Sequence, residues 1–188
     1  MLTREKMLRL RRHARGFSLI ELGIVIAVIA VLAAVVIFGR GFIAAGRVSK
    51  AVEGFNSIRK AGATLAGLRG GSFSGSAAGN EITGMGKRGL LSLPNPADTT
   101  WTMAGGPDVG TAFVAQDIQF GTITYNSVVG VNAVAIKLKA PDGTAAEDVW
   151  NSVTNDKNFI DKGATIGSLN CTSTRPTTQD VNIYCFKL

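Results

Sequence analysis

RGFSLIELGIVIAVIAVLAAVVIF, residues 15–38, sets an arginine and a glycine against a run of 22 residues, Phe17 to Phe38, whose only charge is Glu21. As a helix that run is about 33 Å long at about 1.5 Å per residue, enough to cross a bilayer core of about 30 Å. A carboxylate inside such a span costs roughly 2.5–3.5 kcal/mol near the membrane centre and less toward its edge. Glu21 therefore needs a partner or a purpose.

Ahead of the run, Arg4, Lys6, Arg9, Arg11, Arg12 and Arg15 stand against a single Glu5. Positive charge immediately before an apolar helix favours keeping that end in the cytoplasm and delivering the rest of the chain to the other side. A conventional secretory signal would have a core of only about 7–15 residues, followed by a small-residue cleavage site. Here Phe38-Gly39-Arg40-Gly41 is a polar exit, and the small residue at a boundary is Gly16, before the apolar segment. The expected cut precedes the run, which then stays with the mature chain.

Gly16-Phe17-Ser18-Leu19-Ile20-Glu21 resembles the prepilin signature of the type IV pilin family and its secretion relatives, the pseudopilins. The resemblance covers roughly the first 70 residues and, more loosely, the C-terminal cysteine pair. It implies a basic leader, residues 1–16, cut between Gly16 and Phe17 by a membrane-embedded prepilin peptidase. It also implies N-methylation of the new Phe17 amine and a requirement for Glu21 in assembly. Further implied partners are a platform membrane protein and cytoplasmic ATPases. Many members have a proline late in the apolar helix; this chain has none before Pro94, so a bend would have to arise at Gly39, Gly41 or Gly46. The 16-residue leader looks like the type IVb branch, and Phe as first mature residue like type IVa.

The residues supply a physical reading of the same junction. In a bundle of staggered helices the Phe17 amine of one copy would sit beside the Glu21 carboxylate of another, each neutralising the other. An unpaired charge in apolar surroundings costs several kcal/mol, so a register-shifted copy would be penalised.

The formal charge of +7 is concentrated in the leader, which carries +5, leaving +2 on the mature side chains. A near-neutral mature chain is no footprint for nucleic acid. The remaining length fits one globular domain of about 120 residues. Cys171 and Cys185 are the only cysteines. In a segment expected outside the inner membrane they should form one disulfide, closing a loop worth roughly 3 kcal/mol of unfolded-chain entropy. Tetrahedral zinc needs four ligands, and the single histidine, His13, lies in the leader. The mature chain thus lacks the histidine of Ser-His and Cys-His pairs, and neither an enzyme nor a cofactor is expected. Glu147 and Asp148 are adjacent, but Thr144-Ala145-Ala146-Glu147 after Pro141-Asp142-Gly143 reads as a capping box opening a helix. Some pseudopilins bind calcium, yet Asp142, Glu147 and Asp148 lack a regular ligand spacing.

The predicted architecture is α+β: a long N-terminal helix, membrane-spanning over 17–38 and amphipathic over 39–69, packed on an antiparallel sheet in a head spanning 70–188. Val48, Val52, Phe55, Ile58, Leu65 and Leu68 recur at spacings of three and four, with Gly62 in the missing step. Gly46, Gly54 and Gly62, eight apart, suit close approach either within the domain or between copies. Residues 70–89, rich in glycine, read as a long surface loop or an irregular connection, and Trp101 and Pro107 fall in a further loop-rich stretch to which no element is assigned. Strands are expected over 118–125, 129–139 and 181–187, with Val134, Ile136 and Leu138 alternating against Lys137 and Lys139, and a helix over about 145–153.

The function this implies is a pilus subunit that waits in the inner membrane and then polymerises as a homo-oligomeric extracellular filament. Three rival readings stand beside it. One is a pseudopilin forming a short periplasmic fibre. Another is a minor pilin binding DNA or a receptor through Lys87, Arg88, Lys137 and Lys139, although a phosphate-reading surface should hold a denser basic patch. The third is a plain signal-anchored protein in which Glu21 is incidental.

Overall fold

A computed structural model describes residues 17–73, 79–104, 112–161, 163–171, 175–176 and 181–188, apart from the side chains of Arg40 and Ala104. Two compact units follow one another along the chain, the first ending at Phe42 and the second covering Ile43–Leu188. Helix α1, Leu19–Leu68, runs through 50 residues as one element. It is long and apolar enough to cross a membrane. The helix stops where Gly70 and Gly71 take up left-handed conformations (φ 81° and 90°) and the Gly71 N–H turns back to the Ala66 carbonyl at 2.7 Å. This is how glycine past a helix end satisfies orphan carbonyls.

In the second unit four strands form an antiparallel sheet in the order β1-β2-β3-β6: β1 Trp101–Ala104, β2 Phe113–Tyr125, β3 Val128–Lys139 and β6 Val181–Lys187. β2 and β3 pair along almost their whole length. A two-stranded sheet, β4 Thr165–Ile166 and β5 Leu169–Asn170, lies in the connection before β6. The fold is α+β and pilin-like.

α1 packs its stripe on one face of the main sheet. Ala51, Phe55, Ile58, Ala61, Leu65 and Ala66 share a core with Ile118 and Phe120 of β2, Val134, Ile136 and Leu138 of β3, and Tyr184 and Phe186 of β6. Phe55 sits between two rings, 5.1 Å from Tyr184 and 5.4 Å from Phe186. Two details of the expected stripe change: Val48 and Val52 are only half-buried, and Leu68 is 71 % exposed because the helix ends there. Alanines at 51, 61 and 66 complete the buried stripe of the helix. Burial pushes the Tyr184 phenol up to about 12, with the Asn182 side chain pulling slightly the other way; its hydroxyl donates to the Ala146 carbonyl at 3.2 Å.

The opposite face of the sheet carries a second, smaller core. Ala133 and Ala135 of β3 and Cys185 of β6 meet Ile160, Ala164, Ile166, Leu169 and Cys171. Cys171 and Cys185 are joined by a disulfide with their Cα atoms 5.7 Å apart. Because both faces are covered, residues 133–136 are buried without a break, and small alanines alternate with larger aliphatics.

Two expectations give way. Residues 70–89 are not wholly loop: α2, Ile82–Lys87, forms there, anchored by fully buried Ile82 and Met85. Its frame is tertiary. Asn80 accepts from the Ile82 N–H at 3.0 Å and donates to the carbonyls of Thr99 and Gln116 at 2.6 and 3.1 Å. Trp101, to which the sequence assigns no element, opens β1, while Pro107 lies outside the described residues. Helix α3, Gly143–Val153, is capped by Asp142 and not by Thr144. The Asp142 carboxylate accepts from the Ala145 N–H at 2.7 Å, and Glu147 turns instead to Arg175. Starting the helix earlier lets Ala146, Val149, Trp150 and Val153 line one buried face.

The glycines of the spacing-of-eight series divide. A Cβ at Gly62 would collide with the Phe120 ring, itself stacked on Phe73 at 5.1 Å, and lie 3.0 Å from Leu188; at Gly46 it would meet open space. Alanine gains about 1 kcal/mol of helix propensity at either site, but overpacking a rigid ring costs about 1–3 kcal/mol. Gly46→Ala is expected to raise the thermal midpoint and Gly62→Ala to lower it. Equal shifts in the same direction would contradict the packing assigned to Gly62.

Candidate functional site

Among the described residues the first unit buries no side chain. From Phe17 through Ile43 every large apolar side chain is exposed, including Ile24, Val28, Val31 and Leu32 along a single helix face. Exposed patches on soluble monomers seldom exceed a few hundred Å², so a surface of this extent demands lipid or other protein against it.

At its start, Ser18 and Glu21 form a reciprocal pair. The Ser18 hydroxyl accepts from the Ile20 N–H at 3.3 Å, the Glu21 carboxylate accepts from the Ser18 N–H at 2.9 Å, and the Leu22 N–H reaches the Ser18 carbonyl at 3.1 Å. This is a capping box, satisfying donors that an apolar environment would otherwise leave bare. Its signature, Ser-x-x-Glu at 18–21, is legible in the sequence, but the reading above assigned Glu21 only a role between copies. One carboxylate oxygen is committed to the chain's own backbone. Among the described residues the other accepts no hydrogen bond.

Gly16 lies outside the described residues; Phe17, immediately before the cap, is exposed. The four basic residues considered for nucleic acid do not converge. Lys87 and Arg88 are exposed at the end of α2, whose buried residues join the core on the α1 side of the sheet. Lys137 alternates onto the other face, between Ala135 and Lys139. Among the described residues no group of three or more potential metal ligands is gathered. Asp142 is a helix cap, and Glu147 an ion-pair partner.

An exposed apolar helix with a charged cap at its start fits the membrane-anchored precursor of a surface filament. Residues 11–37 match the family described as the prokaryotic N-terminal methylation motif. That motif is the hallmark of the type IV prepilins and pseudopilins. Its presence across residues 11–37 supports a type IV pilin or pseudopilin-like secreted subunit. No curated protein and no solved structure matches it.

Proposed function

We propose that the chain is the structural subunit of a type IV pilus. It is cut between Gly16 and Phe17 by a prepilin peptidase and methylated on Phe17. A platform protein and ATPases then move it from the inner membrane into an extracellular filament. The observation that carries this reading is the methylation motif lying across the start of a helix whose large apolar side chains are all exposed from Leu19 to Ile43. Lipid covers that surface before assembly and neighbouring copies cover it afterwards. Lipid tails are as apolar as leucine, so the exchange itself gains little, and packing plus specific polar pairing must set the register. The free oxygen of Glu21 supplies the pairing, accepting the Phe17 amine of a neighbour.

Mass spectrometry of sheared surface material tests this. The expected product begins at methylated Phe17. Recovery of chains still carrying Met1, and only in membranes, would return Glu21 to an incidental place in a signal anchor. Trimmed chains confined to the periplasm would assign the chain to a pseudopilin fibre.

A further inference from the structure

The second unit carries a knob at one end and a hole at the other. The knob is the tip of the β2–β3 hairpin. β1 reaches only to Ala115 on β2, and β6 only to Ala133 on β3. The tip beyond them is a two-stranded ribbon without sheet neighbours among the described residues. Its turn residues, Asn126 and Ser127, both have positive φ (47° and 66°), the primed conformation that joins twisted strands tightly. Val128 and Val129 directly after the turn are 59 % and 79 % exposed. Lys187 lies over the Tyr125 ring at 5.1 Å and places a cation beside the tip.

The hole is a cleft of about 150 Å³ between the start of α1 in this unit and α3. Val48, Phe113, Pro141 and Ala145 give it apolar walls, and Arg47 shares the rim with Asp142 and Asp148. A cavity of about 150 Å³ holds a benzene-sized group, so a valine side chain fits.

The two features lie at opposite ends of the same unit. β2 starts with Phe113 in the cleft and ends at Tyr125 beside the turn, a separation of about 40 Å at about 3.3 Å per residue. α1 runs the same way, with Val48 at the cleft and Gly71, just past its end, accepting from Asn132 of the hairpin at 2.8 Å.

We infer that Val129 of one copy, the more exposed of the two valines, seats in the Val48–Phe113–Ala145 cleft of the next, with Lys187 facing the two carboxylates on the rim. This inference rests on the filament reading above. A knob and a hole at opposite ends of one chain make a heterologous contact, which propagates from copy to copy instead of closing into a dimer. The occupant is a second copy because the shape, the apolar character and the opposite charge are all supplied by this chain. The contact is small, and it acts in addition to helix packing by fixing the spacing between successive heads.

The test uses the full chain in cells that assemble it. A Val129→Cys, Ala145→Cys double variant is oxidised within filaments, and sheared material is run without reductant. A ladder of dimers and higher species, absent from either single variant and collapsed by reductant, is expected. Val129→Asp on the knob and Ala145→Trp in the hole should each lower filament yield at least tenfold, with trimming to Phe17 and the thermal midpoint unchanged. Double-cysteine filaments without a ladder overturn the contact, as do wild-type yields from Val129→Asp and Ala145→Trp. Failure of the wild-type chain to form any filament overturns the filament reading itself, a result distinct from normal filaments that ignore these substitutions.

Discussion

Glu21→Ala chains are expected to be made, trimmed and inserted, and yet to leave filaments in the sheared fraction reduced more than a hundredfold. Two roles of the carboxylate are lost together. One is the capping bond from the Ser18 N–H, worth about 1 kcal/mol. The other is the proposed compensation of a neighbour's Phe17 amine, whose loss leaves a charge unpaired in apolar surroundings at about 3–5 kcal/mol. The second term dominates and predicts the collapse. Glu21→Gln separates them, because glutamine completes a capping box as glutamate does but carries no charge. It should resemble alanine in the filament assay. Wild-type filament yield from Glu21→Gln would remove the charge pairing and leave Glu21 as a helix cap. Both variants need trimming measured on the same samples, since an untrimmed chain would lack the amine for a different reason.

Elements whose signal is local were readable before the structure. The apolar run and its continuation as an amphipathic stripe gave one helix, because spacings of three and four persist from Val48 to Leu65. β3 and β6 were readable from their alternation and β-branched content, and their ends agree to within a residue. What escaped depends on contacts distant in sequence. β2 extends back to Phe113 because β1 and the end of β3 pair with it there. α2 is six residues long and has only Ile82 and Met85 to announce it; Asn80, Thr99 and Gln116 hold its start in place. The cap of α3 went to Asp142 over Thr144 because two good capping residues stand two apart, and burial of the Ala146–Trp150 face decided between them. At the site, the Ser18–Glu21 box was visible as a pattern and was overlooked because Glu21 was weighed as a membrane anomaly rather than as the third residue of a helix. The hairpin knob and its cleft were not readable at all, since Val48, Phe113 and Ala145 meet only in the folded unit.

The paired change Cys171→Ala, Cys185→Ala should lower the thermal midpoint of the detergent-solubilised full chain by roughly 10 °C. Opening a loop of about 15 residues returns about 3 kcal/mol of entropy to the unfolded chain, and for a unit of this size each kcal/mol moves the midpoint by about 2–8 °C. The loss should also be uneven. β6 stays held by its pairing with β3 from Ala133 to Lys139 and by Tyr184 and Phe186 in the α1-side core. Among the described residues, the segment around Ile160, Ile166 and Leu169 is held by the smaller core, by the Gln119 amide bonded to Ser168, and by a few backbone bonds, among them the Ile160 N–H to Cys185 at 2.9 Å and the Cys171 N–H to Ala164 at 2.8 Å. Hydrogen exchange at those two amides should rise well before exchange in α1, as local opening precedes global unfolding where apolar contacts are few. A midpoint shift below about 2 °C, with both amides still protected, would mean that the second core holds without its covalent tie. Glu21 lies in the other compact unit, so combining its substitution with the cysteine change should give additive effects, the first read in filaments and the second in melting.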